Sequence, residues 1–243
     1  MTGPNPGEAG RASQLPRQSI VEAARLVKEG RQYSLATSRF PGMPLFPGHP
    51  PFQVLNYRTP PGIRAEGAQP WGPPNEVGLG YMAEYVMATS HSGAHVDALP
   101  AGEPVGADEL AEIAAAQGVE ITPWDVVLIR TGYLKYWPDA EEMAKHRTAG
   151  PDLSAAEWLL EKGVIATGTD TETYEVQPAP DRGSPANPQP VHTKLLIENG
   201  IYLLESVYLE ELATDRVYEF LFVALPVKIE GATGSMVDPL AVI

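Results

Sequence analysis

The sequence of 243 residues contains no cysteine. This absence excludes a disulfide framework and any metal site built on thiolates, and it is compatible with a reducing compartment. Positive charge is also scarce, because 17 Lys and Arg residues stand against 31 Asp and Glu residues, a formal net charge of −14. A chain this acidic repels nucleic acid and anionic membrane surfaces. We therefore predict neither as a partner.

Long apolar runs are missing as well. The longest, residues 220–225, is far too short to span a bilayer, and the first sixteen residues lack the apolar core of a signal peptide. We therefore expect a soluble, cytoplasmic protein. A content of 43% apolar residues is nevertheless sufficient for a buried core.

Histidine is rare, yet two of the five histidines fall in His91-Ser92-Gly93-Ala94-His95-Val96-Asp97. Two imidazoles and a carboxylate are good ligands for a divalent cation. One helical turn would bring His91 and His95 together, and Asp97 could then approach from an extended continuation. A His-x-x-x-His pair also arises by chance. From spacing alone, a metal site and a chance pair both stay open.

The remaining pattern predicts one α/β domain. Residues 1–16 are rich in Gly and Pro and are expected to form a flexible arm, and residues 17–243 a single domain with a mixed β-sheet and flanking helices. Proline-rich residues 41–74 favour a binding loop or a subunit contact. Helices are expected near residues 20–27, 106–117, 141–146, 154–162 and 191–198. Strands are expected near residues 33–37, 53–57, 80–89, 125–131, 164–167, 201–204, 217–229 and 236–243, with 80–89 buried.

Two of the predicted strands run into a carboxylate. Asp170 follows the strand near 164–167, and Glu205 follows the strand at 201–204. In open α/β sheets chemistry collects at the carboxyl ends of strands, so both are candidates to approach the histidine cluster. Position alone also fits solvated turn residues. His192, which opens the helix before Glu205, is on the same grounds typical of a surface residue.

Taken together, the order and spacing of these pieces resemble the cyclase-like metal-dependent hydrolases, the family of kynurenine formamidase (arylformamidase) and isatin hydrolase. The hallmark of that family is His-x-Gly-Thr-His-x-Asp followed by a histidine four residues on. The resemblance runs through most of the chain, in PGMPLFPG (41–48), HSGAHVDAL (91–99), DVVLIRTGY (125–133), GTDTETYEV (168–176), HTKLLIENGIYLLES (192–206) and LPVKIEGATGSMVDPLAV (225–242).

The resemblance implies a swivelling β/β/α fold and a zinc or manganese centre. His91, His95 and Asp97 match the principal metal ligands, and His192 and Glu205 match the pair that completes a second or shared metal position. Relatives of this kind are homo-oligomers, so the resemblance also implies a homodimer or homotetramer.

The resemblance also implies a site with altered chemistry. Phe46 stands where formamidases place a substrate-contacting tryptophan, and Ala94 replaces the hallmark threonine. The family's catalytic histidine is Ala101 here, and an alanine cannot transfer a proton. Glu103 and His49 are the candidates for catalytic proton transfer in its place.

The implied activity is hydrolysis of a small-molecule amide, N-formyl amine or lactam by a metal-activated water, an arylformamidase-like reaction on C–N bonds other than peptide bonds. Two alternatives stay open, because a shared fold does not fix function. One is a metal-dependent lyase or cyclase on the same site, and the other is a catalytically silent binding homologue.

Overall fold

The structure, a computed structural model, describes residues 10–45, 48–59, 61–62, 83–89, 92, 103–146, 149–181, 186–229 and 234–243. The strands within these ranges are β1 (Gln32–Ser34), β2 (Gln53–Arg58), β3 (Ala83–Met87), β4 (Pro104–Val105), β5 (Val126–Ile129), β6 (Gly150–Pro151), β7 (Ala166–Thr169), β8 (Tyr202–Leu204), β9 (Leu221–Val223) and β10 (Leu240–Val242). The α-helices are α1 (Arg17–Ala24), α2 (Ala107–Gln117), α3 (Ala140–Met143), α4 (Leu153–Lys162), α5 (Pro190–His192) and α6 (Glu210–Asp215). Short 3₁₀ turns cover Arg11–Gln14 and Tyr133–Tyr136, and a π-helical turn, Thr193–Ile197, continues α5.

A parallel sheet in the order β5-β7-β8 positions the candidate site. Thr167 of the central strand lies opposite Val127 on one side and Leu203 on the other. Because the three strands run in the same direction, the residues that follow them, Asp170 and Glu205 among them, lie at one edge of the sheet.

The predicted α/β class is confirmed, and parallel and antiparallel pairing both occur. In the described part of the chain the strands form separate small sheets instead of one mixed sheet. Strands β1, β10 and β9 are antiparallel, β2 and β3 form an antiparallel ribbon, and β4 pairs with β6 in parallel.

Helices α4 and α5 cover the parallel sheet and form the core around the candidate site. The carboxylate of Asp152 accepts a hydrogen bond from Ala155 N–H and caps α4, which ends at Gly163 in a left-handed conformation. The side chains of this core are buried between the two helices and the sheet, namely Ala156, Leu159, Val164, Tyr174, Val191, Leu195, Ile201 and Leu203. The start of α5 is therefore fixed by packing on both sides.

Two strand predictions are wrong in part. The strand expected to be buried at residues 80–89 is β3, and its residues 84–87 are exposed because β3 pairs with β2 in a ribbon outside the core. The strand expected at 217–229 is reduced to β9. Pro226 lies just beyond it and has no N–H to donate to a neighbouring strand.

The described part of the expected N-terminal arm lies against the domain. Arg11 donates from its backbone N–H to the carbonyl oxygen of Gly200 at 2.9 Å, and from its guanidinium to that of Val164 at 3.0 Å. Residues 1–9 of the arm lie outside the described residues. Among the helices that the structure describes, none combines the length and the apolar character that a bilayer span requires.

Candidate metal centre

His192 and Glu205 are brought together at the carboxyl edge of the parallel sheet. His192 ends α5, and Glu205 directly follows β8. Nε2 of His192 lies 3.4 Å from Oε1 of Glu205. His192 is 7% exposed and Glu205 is fully buried, so neither is the surface residue that its sequence position alone would favour.

Glu175 fixes the other side of the His192 ring. Its Oε1 lies 2.6 Å from Nδ1 of His192 and accepts the backbone N–H of the same residue at 3.0 Å. Its Oε2 accepts the N–H of Val191 at 3.1 Å. One buried carboxylate therefore accepts hydrogen bonds from the backbone N–H groups at the start of α5. It also holds the ring by a hydrogen bond at Nδ1, which leaves Nε2 directed toward Glu205.

The two carboxylates make this position favourable for positive charge. Burial lowers the pKa of His192, but hydrogen bonds with Glu175 and Glu205 outweigh that effect and raise the pKa to about 9. Two buried carboxylates around one imidazole stabilise a cation at this point, whether a proton on the ring or a metal ion bound between the side chains.

The segment that carries Glu175 is held by close backbone packing. The backbone of residues 174–176 passes over Gly150, where an added Cβ would lie only 2.7 Å from the nitrogen of Val176. The N–H of Val176 donates to the carbonyl oxygen of Pro151 at 3.2 Å. A side chain at position 150 would therefore require the backbone at Gly150 or the segment that carries Glu175 to shift.

Tyr174 supports the same ring from a different direction. It is fully buried, and its hydroxyl donates to Oγ1 of Thr167 at 3.0 Å. Its ring meets the His192 ring edge to face, with centroids 6.3 Å apart and planes at 84°. The imidazole is therefore confined by an aromatic ring as well as by two carboxylates.

The geometry of His192 and Glu205 fits a shared metal ion. Ligand atoms that bind one ion at roughly 2.0–2.2 Å lie about 3–3.5 Å apart, and the observed separation is 3.4 Å. Across the described ranges no group of three or more His, Asp or Glu side chains could hold an ion by itself. The other three predicted ligands, His91, His95 and Asp97, lie outside the described residues.

Comparisons with known proteins agree with this architecture. A model of the Cyclase family matches residues 100–176. A crystal structure described as a novel cyclase superposes with a TM-score of 0.81 at 23% identity, covering 97% of this chain and 96% of that chain. The chain has the cyclase fold. The resemblance that the sequence motifs predict is confirmed.

Two further solved structures share the cyclase fold. An isatin hydrolase bound to the product analogue thioisatinate has a TM-score of 0.68 at 19% identity, covering 94% of this chain and 99% of that chain. A predicted metal-dependent hydrolase from Bacillus stearothermophilus has a TM-score of 0.59 at 18% identity, covering 87% and 97%. No curated protein sequence matches the chain significantly.

Asp170, the other carboxylate at a strand end of the cyclase fold, is engaged away from His192. Its Oδ1 accepts the N–H and the hydroxyl of Thr131, and its Oδ2 accepts the N–H of Gly132, each at 2.7 Å. Burial raises the pKa of Asp170, and these hydrogen bonds oppose the shift. Asp170 is thus buried, not solvated, and it joins the end of β7 to the end of β5.

The other predicted site residues stay predictions. Glu103 is exposed just before β4, where its backbone carbonyl oxygen accepts the N–H of Gly150 at 3.1 Å. His49 is half-buried in the segment that precedes β2. Phe46 and Ala101 lie outside the described residues.

Glu175 is the residue that sequence reasoning missed in this part of the cyclase fold. The structure shows why the start of α5 needs this residue. The N-cap residue there is Gln189, which makes no capping hydrogen bond through its side chain. A buried helix start without its own cap requires an acceptor from elsewhere, and a carboxylate is the strongest candidate.

Proposed function

We propose that the chain is a metal-dependent hydrolase of a small-molecule C–N bond in an amide, an N-formyl amine or a lactam. The observation that carries this proposal is the buried row Glu175–His192–Glu205, because a histidine held at Nδ1 by a carboxylate and facing a second ligand at Nε2 is typical of metal centres. The similarity in fold to an isatin hydrolase and a metal-dependent hydrolase supports the reaction class.

His192 and Glu205 would hold the ion together with His91, His95 and Asp97. Nitrogen and oxygen ligands are compatible with zinc and with manganese. A bound ion of this kind lowers the pKa of a coordinated water toward about 7 and polarises a substrate carbonyl group. Glu175 keeps the ring of His192 in the orientation that presents Nε2.

Proton transfer to the departing nitrogen is where this chain differs from the family pattern. Ala101 cannot donate a proton, and a positioned acid typically contributes about 10²–10⁴-fold to the rate. Glu103 and His49 are the proposed replacements. We therefore expect slower turnover than a site with a histidine at position 101 would give.

A groove beside Arg39 has the size of a small-molecule site. Its volume is about 420 Å³, within the usual range for ligand pockets, and its lining is mainly apolar, with Phe52, Val86, Val223 and Met236 among the contributors. Arg39 also contacts Ser92, which is adjacent in sequence to His91. These features support a substrate with an apolar or aromatic part.

Ala101 also favours a second candidate function. A lyase or cyclase that uses the ion to stabilise an enolate depends less on a proton-donating histidine than a hydrolase does. The third candidate function is that of a homologue that binds a ligand but catalyses no reaction.

Metal analysis joined to an activity panel tests the proposal. The purified protein should contain stoichiometric zinc or manganese and should hydrolyse at least one of N-formylkynurenine, isatin or a simple lactam. Replacing His192 with alanine should remove both properties. His146→Ala is the matched control, because His146 also faces a glutamate, Glu142 at 3.3 Å, but on the surface.

The outcomes separate the three readings. Bound metal without hydrolysis of any compound in the panel would favour the lyase or the silent homologue. Absence of metal from wild-type protein prepared with added zinc or manganese would contradict the proposal.

A further inference from the structure

Arg39 joins two parts of the chain that are far apart in sequence. Its Nε donates to the backbone carbonyl oxygen of Ser92 at 2.9 Å. Its Nη2 donates to the carbonyl oxygen of Val237 at 2.8 Å, and its Nη1 to the carboxylate of Asp238 at 2.8 Å. The arginine side chain is only 16% exposed, so its hydrogen bonds to the carbonyl oxygens of Ser92 and Val237 are partly shielded from water, whereas the Asp238 side chain is 74% exposed.

Ser92 is held on its other side as well. Its hydroxyl lies 3.2 Å from Oγ1 of Thr89, and the residue is fully buried. Position 92 is therefore fixed through both its backbone and its side chain, although it lies beyond the exposed end of β3.

The guanidinium is suited to this task in a way that other cations are not. It is planar and presents donors in fixed directions, so Arg39 can serve three acceptors in different directions at once. A lysine has a single nitrogen and cannot span the same three acceptors. Without the Nε donor, the buried carbonyl group of Ser92 would lose this charge-assisted hydrogen bond.

We propose that Arg39 is a positioning residue: by anchoring the chain at Ser92, it limits the positions open to the adjacent proposed metal ligand, His91. His91 is the immediate neighbour of Ser92, and consecutive Cα atoms are about 3.8 Å apart, so an anchor at position 92 restricts where the His91 side chain can reach. This inference rests on the proposed function, because it takes His91, His95 and Asp97 to be metal ligands.

Hydrogen–deuterium exchange tests the anchor without any metal. Arg39→Met should increase exchange in peptides covering residues 89–97 by at least tenfold relative to wild type, while peptides covering β5 and β7 keep their protection. Arg31→Met is the matched control, since Arg31 also pairs with an aspartate, Asp215 at 2.8 Å, at the opposite end of β1. It should leave residues 89–97 unchanged.

Metal binding gives the second readout, in a chelator competition with Zn²⁺ and in the visible spectrum of the Co²⁺ form. Arg39→Met should weaken Zn²⁺ binding at least tenfold and alter the Co²⁺ spectrum, and Arg31→Met should change neither. Arg39→Lys, which keeps the charge, should behave like Arg39→Met and replaces it if the methionine variant does not fold.

The failure modes are distinct. Unchanged exchange and unchanged Zn²⁺ binding in both Arg39 variants would overturn the anchor and leave the proposed function standing. Wild-type protein that binds no Zn²⁺ would overturn both. Increased exchange throughout the chain would also overturn the anchor, because the arginine would then support the whole fold and not one segment.

Discussion

Nδ1 of His192 lies 2.6 Å from Oε1 of Glu175, 17 residues earlier in the chain, and the same oxygen accepts the backbone N–H of His192. One carboxylate oxygen thus fixes both the backbone and the ring of this histidine. Glu205 faces Nε2 on the opposite side of the ring, so the imidazole cannot turn without losing an interaction at each nitrogen.

Glu175→Gln should weaken metal binding while preserving side-chain volume. Loss of the carboxylate behind a ligating histidine typically lowers metal affinity by about 10–100-fold, because the ring loses both orientation and basicity. The measurement is a Zn²⁺ competition titration. Glu142→Gln serves as control, since Glu142 also faces a histidine but is partly exposed on α3. Equal affinities in wild type and Glu175→Gln would show that the carboxylate does not orient the ligand.

Tyr174→Phe should reduce stability and leave metal binding intact. The variant loses the hydrogen bond to Thr167 but keeps the ring that packs edge to face on His192. We expect the free energy of unfolding to fall by about 1 kcal/mol in urea titrations. A large loss of Zn²⁺ affinity in this variant would mean that the hydroxyl, and not the ring, supports the site.

Glu172→Gln should stabilise the protein at neutral pH. Glu172 is half-buried, and burial raises its pKa above the ordinary value of 4.5. A raised carboxyl pKa means that the folded chain binds the proton more tightly than the unfolded chain does, so stability falls as pH rises above about 4.5.

The glutamine variant lacks that charge. Its advantage over wild type in urea titrations should therefore be present at pH 7, shrink as the pH falls toward 4.5 and be absent below that pH. Glu157→Gln, at an exposed position on α4, is the control. An advantage that is the same at every pH would contradict this explanation.

Self-association is expected through the ribbon of β2 and β3. Tyr85 of this ribbon is 59% exposed, and the neighbouring apolar side chains of Leu55, Tyr57 and Met87 are exposed as well. A two-stranded ribbon is marginal in water unless something packs against it. Light scattering should show a dimer or tetramer that Tyr85→Glu shifts toward monomer, whereas Ile197→Glu, at an exposed apolar residue on another surface, should not. A wild-type monomer would contradict the expectation.

The sequence predicts best those elements that local patterns determine. Helices α2 and α4 have apolar residues at helical spacing and end at Gly118 and Gly163, and both lie within a few residues of their predicted ranges. The strand β3 shows the limit of such patterns. Its apolar residues predict burial, but burial depends on which strand lies beside it, and that strand, β2, is itself outside the core.

The candidate site is only partly visible in the sequence for the same reason. His192 and Glu205 could be named because they match a family motif, and the structure brings them together. Glu175 and Arg39 make their hydrogen bonds with residues between 16 and 199 positions away in the sequence. At such separations the spacing of residues in the sequence does not predict a contact. The position of Asp170 at a strand end makes it a candidate to approach the histidine cluster. In the structure its carboxylate instead accepts hydrogen bonds from the N–H groups of Thr131 and Gly132, which follow β5.

The central claim is that one divalent cation lies between His192 and Glu205. Anomalous diffraction at the manganese or zinc edge, from crystals grown with the metal, tests it most directly. The account predicts a peak within about 2.0–2.2 Å of Nε2 of His192 and of a carboxylate oxygen of Glu205, with His91, His95 and Asp97 around it. A metal bound elsewhere, or no peak beside these two side chains, would contradict the account.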